Sequence, residues 1–207
     1  MEEARAASMG EADEVNGSGA GGEAQVLVVR MSDITDGNTF YVHVVGSDDG
    51  KHSGDQLKLV MKKMSVVGPD SEPLERLKKG LICAAPFNDG SGVAYYRARI
   101  VSASQGKAEV LFIDFGNSAE MPVSDLKALD PDTQRNPPPQ AKCCCLAYLK
   151  LPEVDHEFGH PAASYLHQLT WDRSLSMQVI VIVAFASPPA PLRSLPPCLG
   201  VVTPLDN

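Results

Sequence analysis

Tyr95-Tyr96-Arg97-Ala98-Arg99-Ile100, followed by Val110-Leu111-Phe112-Ile113-Asp114-Phe115-Gly116-Asn117, is the pair of segments that decides the fold. Both are rich in aromatic and β-branched residues, the types that fit a pleated surface. Gln105-Gly106 offers a turn between them, and Gly116-Asn117 ends the second. The strands read as Ala94 to Ser102 and Ala108 to Ile113. Working outward, Leu81 to Ala85 and Ala119 to Pro122 read as further short strands, with a turn at Asn88-Asp89-Gly90. Short strands spaced closely by tight turns predict a small barrel over residues 80–130.

On the N-terminal side, Val26 to Val29 and Thr39 to Val45 predict a hairpin around Asp36-Gly37-Asn38. Leu57, Val60, Met61 and Met64 share one helical face. Ser53 and Gln56 resemble a capping box at its start, and Gly68-Pro69 ends it. On the C-terminal side, Asp130-Pro131 and Pro137-Pro138-Pro139 close the barrel block. Cys143 to Leu151 reads as a strand and Met177 to Val183 as a last one. Between them Pro161 suits the first turn of a helix whose Ala162, Leu166 and Leu169 share a face. Residues 1–24, rich in Gly, Ala and Glu without an aromatic, read as disordered. Residues 184–207 hold six prolines and read as an irregular tail.

The 207 residues carry a net charge of −8, unevenly placed. Residues 1–24 hold six acidic residues and one Arg, giving −5; residues 25–183 hold 19 acidic and 16 basic, giving −3; the remainder balances. The folded part is nearly neutral, which argues against a strongly basic nucleic-acid footprint. The longest apolar run, Met177 to Ala186, is too short to span a bilayer, and no membrane role is expected. The acidic start lacks a secretory h-region. Five cysteines, three of them consecutive, suit reduced core residues and a reducing compartment.

Five of the 12 aromatic residues fall between Phe87 and Phe115. One reading is that alternating rings fill the barrel. The other is that some of them form a cage, which binds diffuse cations through the ring quadrupole. Methylation of Arg keeps the charge and removes donors, so a cage suits it where a carboxylate pair does not.

The two opening segments resemble the core of a Tudor domain: an aromatic-Tyr-Arg-Ala strand, then a strand ending in aromatic-Ile-Asp-aromatic-Gly-Asn. The flanks are similar to the extended Tudor type found at the C-terminal end of Tudor staphylococcal-nuclease proteins. The resemblance covers about residues 26–183 and is carried by residues 81–122. It implies a mainly β fold with flanking helices: a five-stranded Tudor barrel inserted in a partial staphylococcal-nuclease-like, OB-type lobe. Residues 25–79 and 131–183 would be the two parts of that lobe. It also implies a non-catalytic reader of symmetric dimethylarginine. The matching cage positions are Phe87, Tyr96, Phe112 and Phe115, with Asn117 as the polar partner. Asp114 matches an acidic position that holds the turn by a hydrogen bond to backbone or Arg, and Tyr95 supports. Phe112 and Phe115 stand where Tyr is common, and the loop Asn88 to Ala94 is long for the family. Arg97 and Arg99 are expected in salt bridges on the solvent side. The implied partners are Arg-Gly-rich proteins with Sm-type or Piwi/Argonaute-type tails, in splicing or small-RNA assemblies of the cytoplasm or nucleus. RNA is a further implied partner, and no cofactor is expected.

Three other readings stay open. Aromatic barrel faces also stack bases, so an RNA- or single-stranded-DNA-binding barrel is the alternative. The chain also reads as an inactive fragment of a Tudor-containing nuclease, since its lobe is not expected to hold the calcium carboxylates and phosphate-binding arginines of such enzymes. Third, His156-Glu157-Phe158-Gly159-His160 matches a zinc-protease motif, which needs both His on one helical turn. Pro161 and Gly159 argue for a loop there, and the position of an extended motif's third His is Leu166. Alternation sends Cys143 and Cys145 to one face of a strand and Cys144 to the other, which suits packing and not one metal ion.

Overall fold

The apolar alternation of the N-terminal segments resolves into a hairpin in the computed structural model, which describes residues 26–47, 54–147, 156–179 and 201–204. Strands β1 (Val26–Ile34) and β2 (Thr39–Ser47) pair antiparallel. Asp36 closes their turn: its Oδ1 accepts from the amides of Asn38 at 2.7 Å and Thr39 at 2.6 Å. Helix α1 (Gly54–Asp70) follows and buries Val60 and Met64. It runs through Pro69, one residue beyond the expected stop, because a proline in the last turn forfeits only one main-chain bond. Ser53, the expected cap, lies outside the described residues, as do residues 1–25, 148–155, 180–200 and 205–207.

Strands β3 (Ile82–Asn88), β4 (Val93–Ser104), β5 (Lys107–Phe112) and β6 (Ser118–Pro122) form an antiparallel sheet in chain order. A single-turn 3-10 helix at Val123–Asp125 then returns the chain to β3. There Lys127 bridges Ala84, with main-chain bonds of 2.9 Å in both directions, and also bridges Pro73. The fifth barrel strand expected from the sequence is therefore reduced to isolated bridges. Cys83, Ala85, Tyr96, Ala98, Ile100, Ala108, Val110, Phe112, Met121 and Leu126 fill the interior.

Helix α2 (Pro131–Arg135) is a short turn capped by Asp130, and β7 (Lys142–Cys145) comes next. Helix α3 (His156–Thr170) leads into β8 (Leu175–Gln178), and β9 (Val201–Pro204) pairs with β8. These strands complete a second antiparallel sheet in the order β7-β2-β1-β8-β9. Thus the four-stranded sheet is inserted in the chain between β2 and β7 of a five-stranded one, the mainly β, extended Tudor architecture that the resemblance implies.

Two expectations are corrected here. The Pro-rich tail is not irregular throughout: Val201–Pro204 adds an edge strand, where a terminal proline is tolerated. The segment around His156 is not a loop: α3 begins there and passes through Pro161, which costs one main-chain hydrogen bond. Leu166 holds the helix downstream against Val29, Phe40, Val42 and Leu175 in the core of the five-stranded sheet. In β7, Cys144 is buried while Cys143 and Cys145 are half-buried. Among the described residues none of the three is in a disulfide, nor is Cys83, whose burial pushes its pKa up to about 12.

Candidate functional site

Alternation along β4 assigns its two faces. Tyr96, Ala98 and Ile100 point into the barrel, and Tyr95 and Arg97 point out. Tyr96 then meets Phe87 from β3 and Phe112 from β5, with ring centroids 6.4 and 6.1 Å away. Phe87 and Phe112 lie 5.1 Å apart. Phe115 stands at 90° to Tyr96, 5.4 Å away. The four rings meet edge to face, the arrangement favoured by aromatic quadrupoles. They line one cavity of about 450 Å³ together with Asp89, Asn117, Ser32, Met61 and Trp171. All four expected aromatics and Asn117 are therefore brought together. Their placement allows an organic cation to contact several ring faces at once.

Polar groups at the cavity are few. The Tyr96 hydroxyl donates to Asp89 Oδ2 at 3.2 Å. Burial, then that carboxylate, raises the Tyr96 pKa, so the phenol stays neutral. Asp89 is held low by the Ser91 hydroxyl and amide, which bond its Oδ1 at 2.6 and 2.9 Å, so it stays anionic. Asp89 belongs to the β3–β4 loop; the sequence shows it only as a turn residue, and an acid in a loop beside an aromatic strand is the signal that could have placed it at the site.

Tyr95 lies away from the cavity. It packs on the α1 side with Val60, Met64, Ala84 and Leu129. Lys127 Nζ sits 5.0 Å from its ring centroid. A side chain at Gly68 of α1 would overlap it.

Arg97 corrects the solvent-side expectation, because α2 and the proline run cover that face of β4. The residue is 1% exposed. Its Nε and Nη2 donate to the two oxygens of Asp114 at 2.8 and 2.6 Å. Its Nη1 donates to the carbonyls of Thr133 at 3.2 Å and Pro137 at 2.6 Å, and Nη2 reaches that of Pro138 at 3.4 Å. Prolines have no N–H, so a segment of them cannot satisfy its neighbours but supplies acceptors, and the guanidinium uses them. Asp114 also accepts from the Gln140 amide at 3.1 Å. Arg99, by contrast, is exposed.

The turn that carries Phe115 and Asn117 is fixed from both sides. The Phe112 amide donates to Asn117 O at 2.9 Å, and the Gly116 amide to Phe112 O at 2.7 Å. From β2, His43 Nε2 donates to Asp114 O at 2.7 Å. A carbonyl only accepts, so that nitrogen carries the proton. The His43 ring meets Phe115 at 5.7 Å. Tyr41, also on β2, packs so closely on Gly116 that a Cβ there would overlap its ring, and Gly116 has φ +99°. Gly116→Ala is therefore expected to destabilise the fold by about 1–3 kcal/mol through left-handed backbone strain and the clash. Thermal unfolding followed by circular dichroism checks this; an unchanged melting temperature would contradict it. Local patterning could not reveal Tyr41 and His43, since the chain separates them widely from the turn they hold.

The Tudor domain family matches this chain over residues 23–148. The chain belongs to that family. It is 32% identical over 168 residues to Ribonuclease TUDOR 2 of Arabidopsis thaliana, a match covering 77% of this chain and 16% of that protein. The chain thus spans about a sixth of the length of the curated relative it matches. Among solved structures, the extended Tudor domain of Drosophila melanogaster Tudor-SN (p100) is similar, with TM-score 0.63 and 25% identity over 87% of this chain and 75% of that one. So is the extended Tudor domain TD3 from mouse TDRD1, solved in complex with a MILI peptide containing dimethylarginine, with TM-score 0.67 and 22% identity over 88% of this chain and 83% of that one. A Tudor domain is a binding domain, and the similarity to a nuclease-named relative lies in the Tudor region.

The zinc motif is helical in backbone, so the conformational argument against it falls. Even so, Leu166 is packed in the core of the second sheet. Among the described residues no three His, Cys, Asp or Glu side chains gather as a ligand set.

Proposed function

We propose that this Tudor domain is a non-catalytic reader of methylated arginine, and that it takes symmetric dimethylarginine in Arg-Gly-rich protein tails. The observation that carries the proposal is the convergence of Phe87, Tyr96, Phe112 and Phe115 on one cavity with Asn117 at its edge. A dimethylated guanidinium stays cationic and sheds much of its hydration, so ring faces compete well with water for it. Asn117 supplies a carbonyl oxygen for a remaining guanidinium N–H, and the anionic Asp89 adds a favourable field. One methyl on each terminal nitrogen gives a broad, flat cation whose two flanks both suit aromatic walls. The dimethylarginine peptide held by the mouse TDRD1 neighbour supports this ligand class. Piwi/Argonaute-type and Sm-type tails, in cytoplasmic or nuclear RNA assemblies, are the partners that fit the proposal.

Titration of the full chain with an Arg-Gly peptide in unmodified, asymmetric and symmetric dimethylated forms tests it. Tightest binding of the symmetric form, changing little between low and moderate salt, is expected. Equal affinity for all three forms would defeat the reader function. A steep loss of RNA affinity with salt alongside it would favour the nucleic-acid barrel instead.

A further inference from the structure

β1 carries a bulge where it passes the cavity. Met31 pairs with Val42 and Asp33 with Tyr41, so Ser32 has no partner residue on β2. Bulges re-aim side chains and gather beside functional sites. Ser32 lines the ring cavity from the opposite sheet. Its Oγ is buried without a hydrogen-bond partner, the one such side-chain oxygen or nitrogen found among the described residues. A buried hydroxyl left in that state costs stability, and function is a frequent reason for keeping one. Beside it on the cavity stand Met61 of α1 and Trp171 after α3, 41% and 38% exposed although both are large and apolar. His167 stacks on the Trp171 ring at 4.4 Å and 15°, which steadies that ring.

The cavity therefore has two unlike walls. One is aromatic and suits a cation. The other holds a single unsatisfied hydroxyl and two apolar side chains that line the same cavity. A guanidinium group has only donors, so it could donate to this hydroxyl but would leave the hydroxyl's own O–H without an acceptor. Peptide main chain suits it: a carbonyl for the hydroxyl, and a flat, narrow strip to lie along Met61 and Trp171. Glycine fits that strip because it has no Cβ to hold the backbone away. Met61 is unbranched and adjustable, and its movement is what would let a carbonyl reach the buried hydroxyl.

We propose that Ser32, Met61 and Trp171 form a main-chain subsite. In it Ser32 Oγ–H donates to the carbonyl of a residue flanking the caged arginine, and Met61 and Trp171 cover the adjoining glycine. This rests on the reader function proposed above. Ser32 is a positioning residue here, setting the direction in which the peptide crosses the site.

Two probes on the full chain separate the subsite from the cage: a Gly-flanked symmetric dimethylarginine peptide by calorimetry, and N,N′-dimethylguanidinium, which has no main chain, by nuclear magnetic resonance shifts. Ser32→Ala is expected to weaken the peptide about three- to tenfold, the loss of one hydrogen bond, and to leave dimethylguanidinium within about twofold. Its melting temperature is expected to hold or rise, because the hydroxyl has no internal partner. Ser32→Thr, which keeps a hydroxyl, is expected to retain most of the peptide affinity. Wild-type binding of the peptide that Ser32→Ala leaves unchanged would overturn the subsite alone. An equal loss for both probes would also overturn it, placing the hydroxyl within the cage. A wild-type protein blind to arginine methylation would overturn the reader function and the subsite with it.

Discussion

Arg97→Ala is expected to destabilise the protein by about 3–5 kcal/mol, the usual result of removing one partner of a buried ion pair. The reason is the charge left behind. Asp114, 2% exposed, would keep a carboxylate that no longer faces a cation. The carbonyls of Thr133, Pro137 and Pro138 would lose their shared donor in the same step. Against a total stability of about 5–15 kcal/mol for an ordinary domain, that is a large fraction. Urea unfolding measures it. A double-mutant cycle gives the sharper check: Asp114→Ala introduced into Arg97→Ala is expected to cost much less than Asp114→Ala alone, because the orphaned carboxylate disappears. Exchange of both residues for apolar ones is not expected to restore stability, since the three carbonyls and the Gln140 amide would still lack their partners. An Asp114→Ala cost that is the same in the Arg97→Ala protein as in the natural one would mean that the two side chains act independently. Because the pair is buried, moderate salt is expected to change these differences little.

Phe115→Ala is expected to weaken binding of a symmetric dimethylarginine peptide about tenfold to a hundredfold. A desolvated cation–π contact is worth about 2 kcal/mol, and each 1.4 kcal/mol is tenfold in affinity. Phe115 is the preferred probe because it is half-buried, whereas Phe112 is 1% exposed and fills the barrel interior. Its removal also loosens edge contacts to Tyr96 and His43, at a folding cost of about 1–3 kcal/mol. Circular dichroism beside the titration separates the two effects. Phe115→Tyr keeps the ring face and is expected to bind nearly as well as the natural residue. Full affinity in a folded Phe115→Ala protein would remove this ring from the site and with it the cage as drawn.

The ring positions were legible because they sit on one short-range pattern. Two strands and a turn carry Tyr96, Phe112, Phe115 and Asn117, and period-two alternation sends Tyr96 to one face and Tyr95 to the other. The role of Arg97 was not legible. Its outward position on β4 is correct, but what covers that face comes from α2 and the proline run, distant in the chain. Covering by remote segments leaves no local trace in charge or periodicity. The same holds for Ser32, Met61 and Trp171: Met61 reads only as part of an apolar helical face, Ser32 and Trp171 carry no local signal, and the three meet at one cavity. The expectation of a loop before α3 came from weighing Pro161 and Gly159 as local helix breakers. A single missing main-chain hydrogen bond is small beside the packing of Leu166 further along the helix.

The hydrogen bond from His43 to the Asp114 carbonyl and the packing of Tyr41 on Gly116 join β2 to the turn after β5, and the proline carbonyls from beyond the barrel close on Arg97 of β4. Evolution could therefore not move the aromatic barrel between proteins as a bare cassette of residues 80–130 without orphaning a buried guanidinium and unpinning the loop that presents Phe115. The heritable, transplantable unit is the barrel together with the strands on either side of it in the sequence, and grafting of this specificity onto another scaffold must carry both.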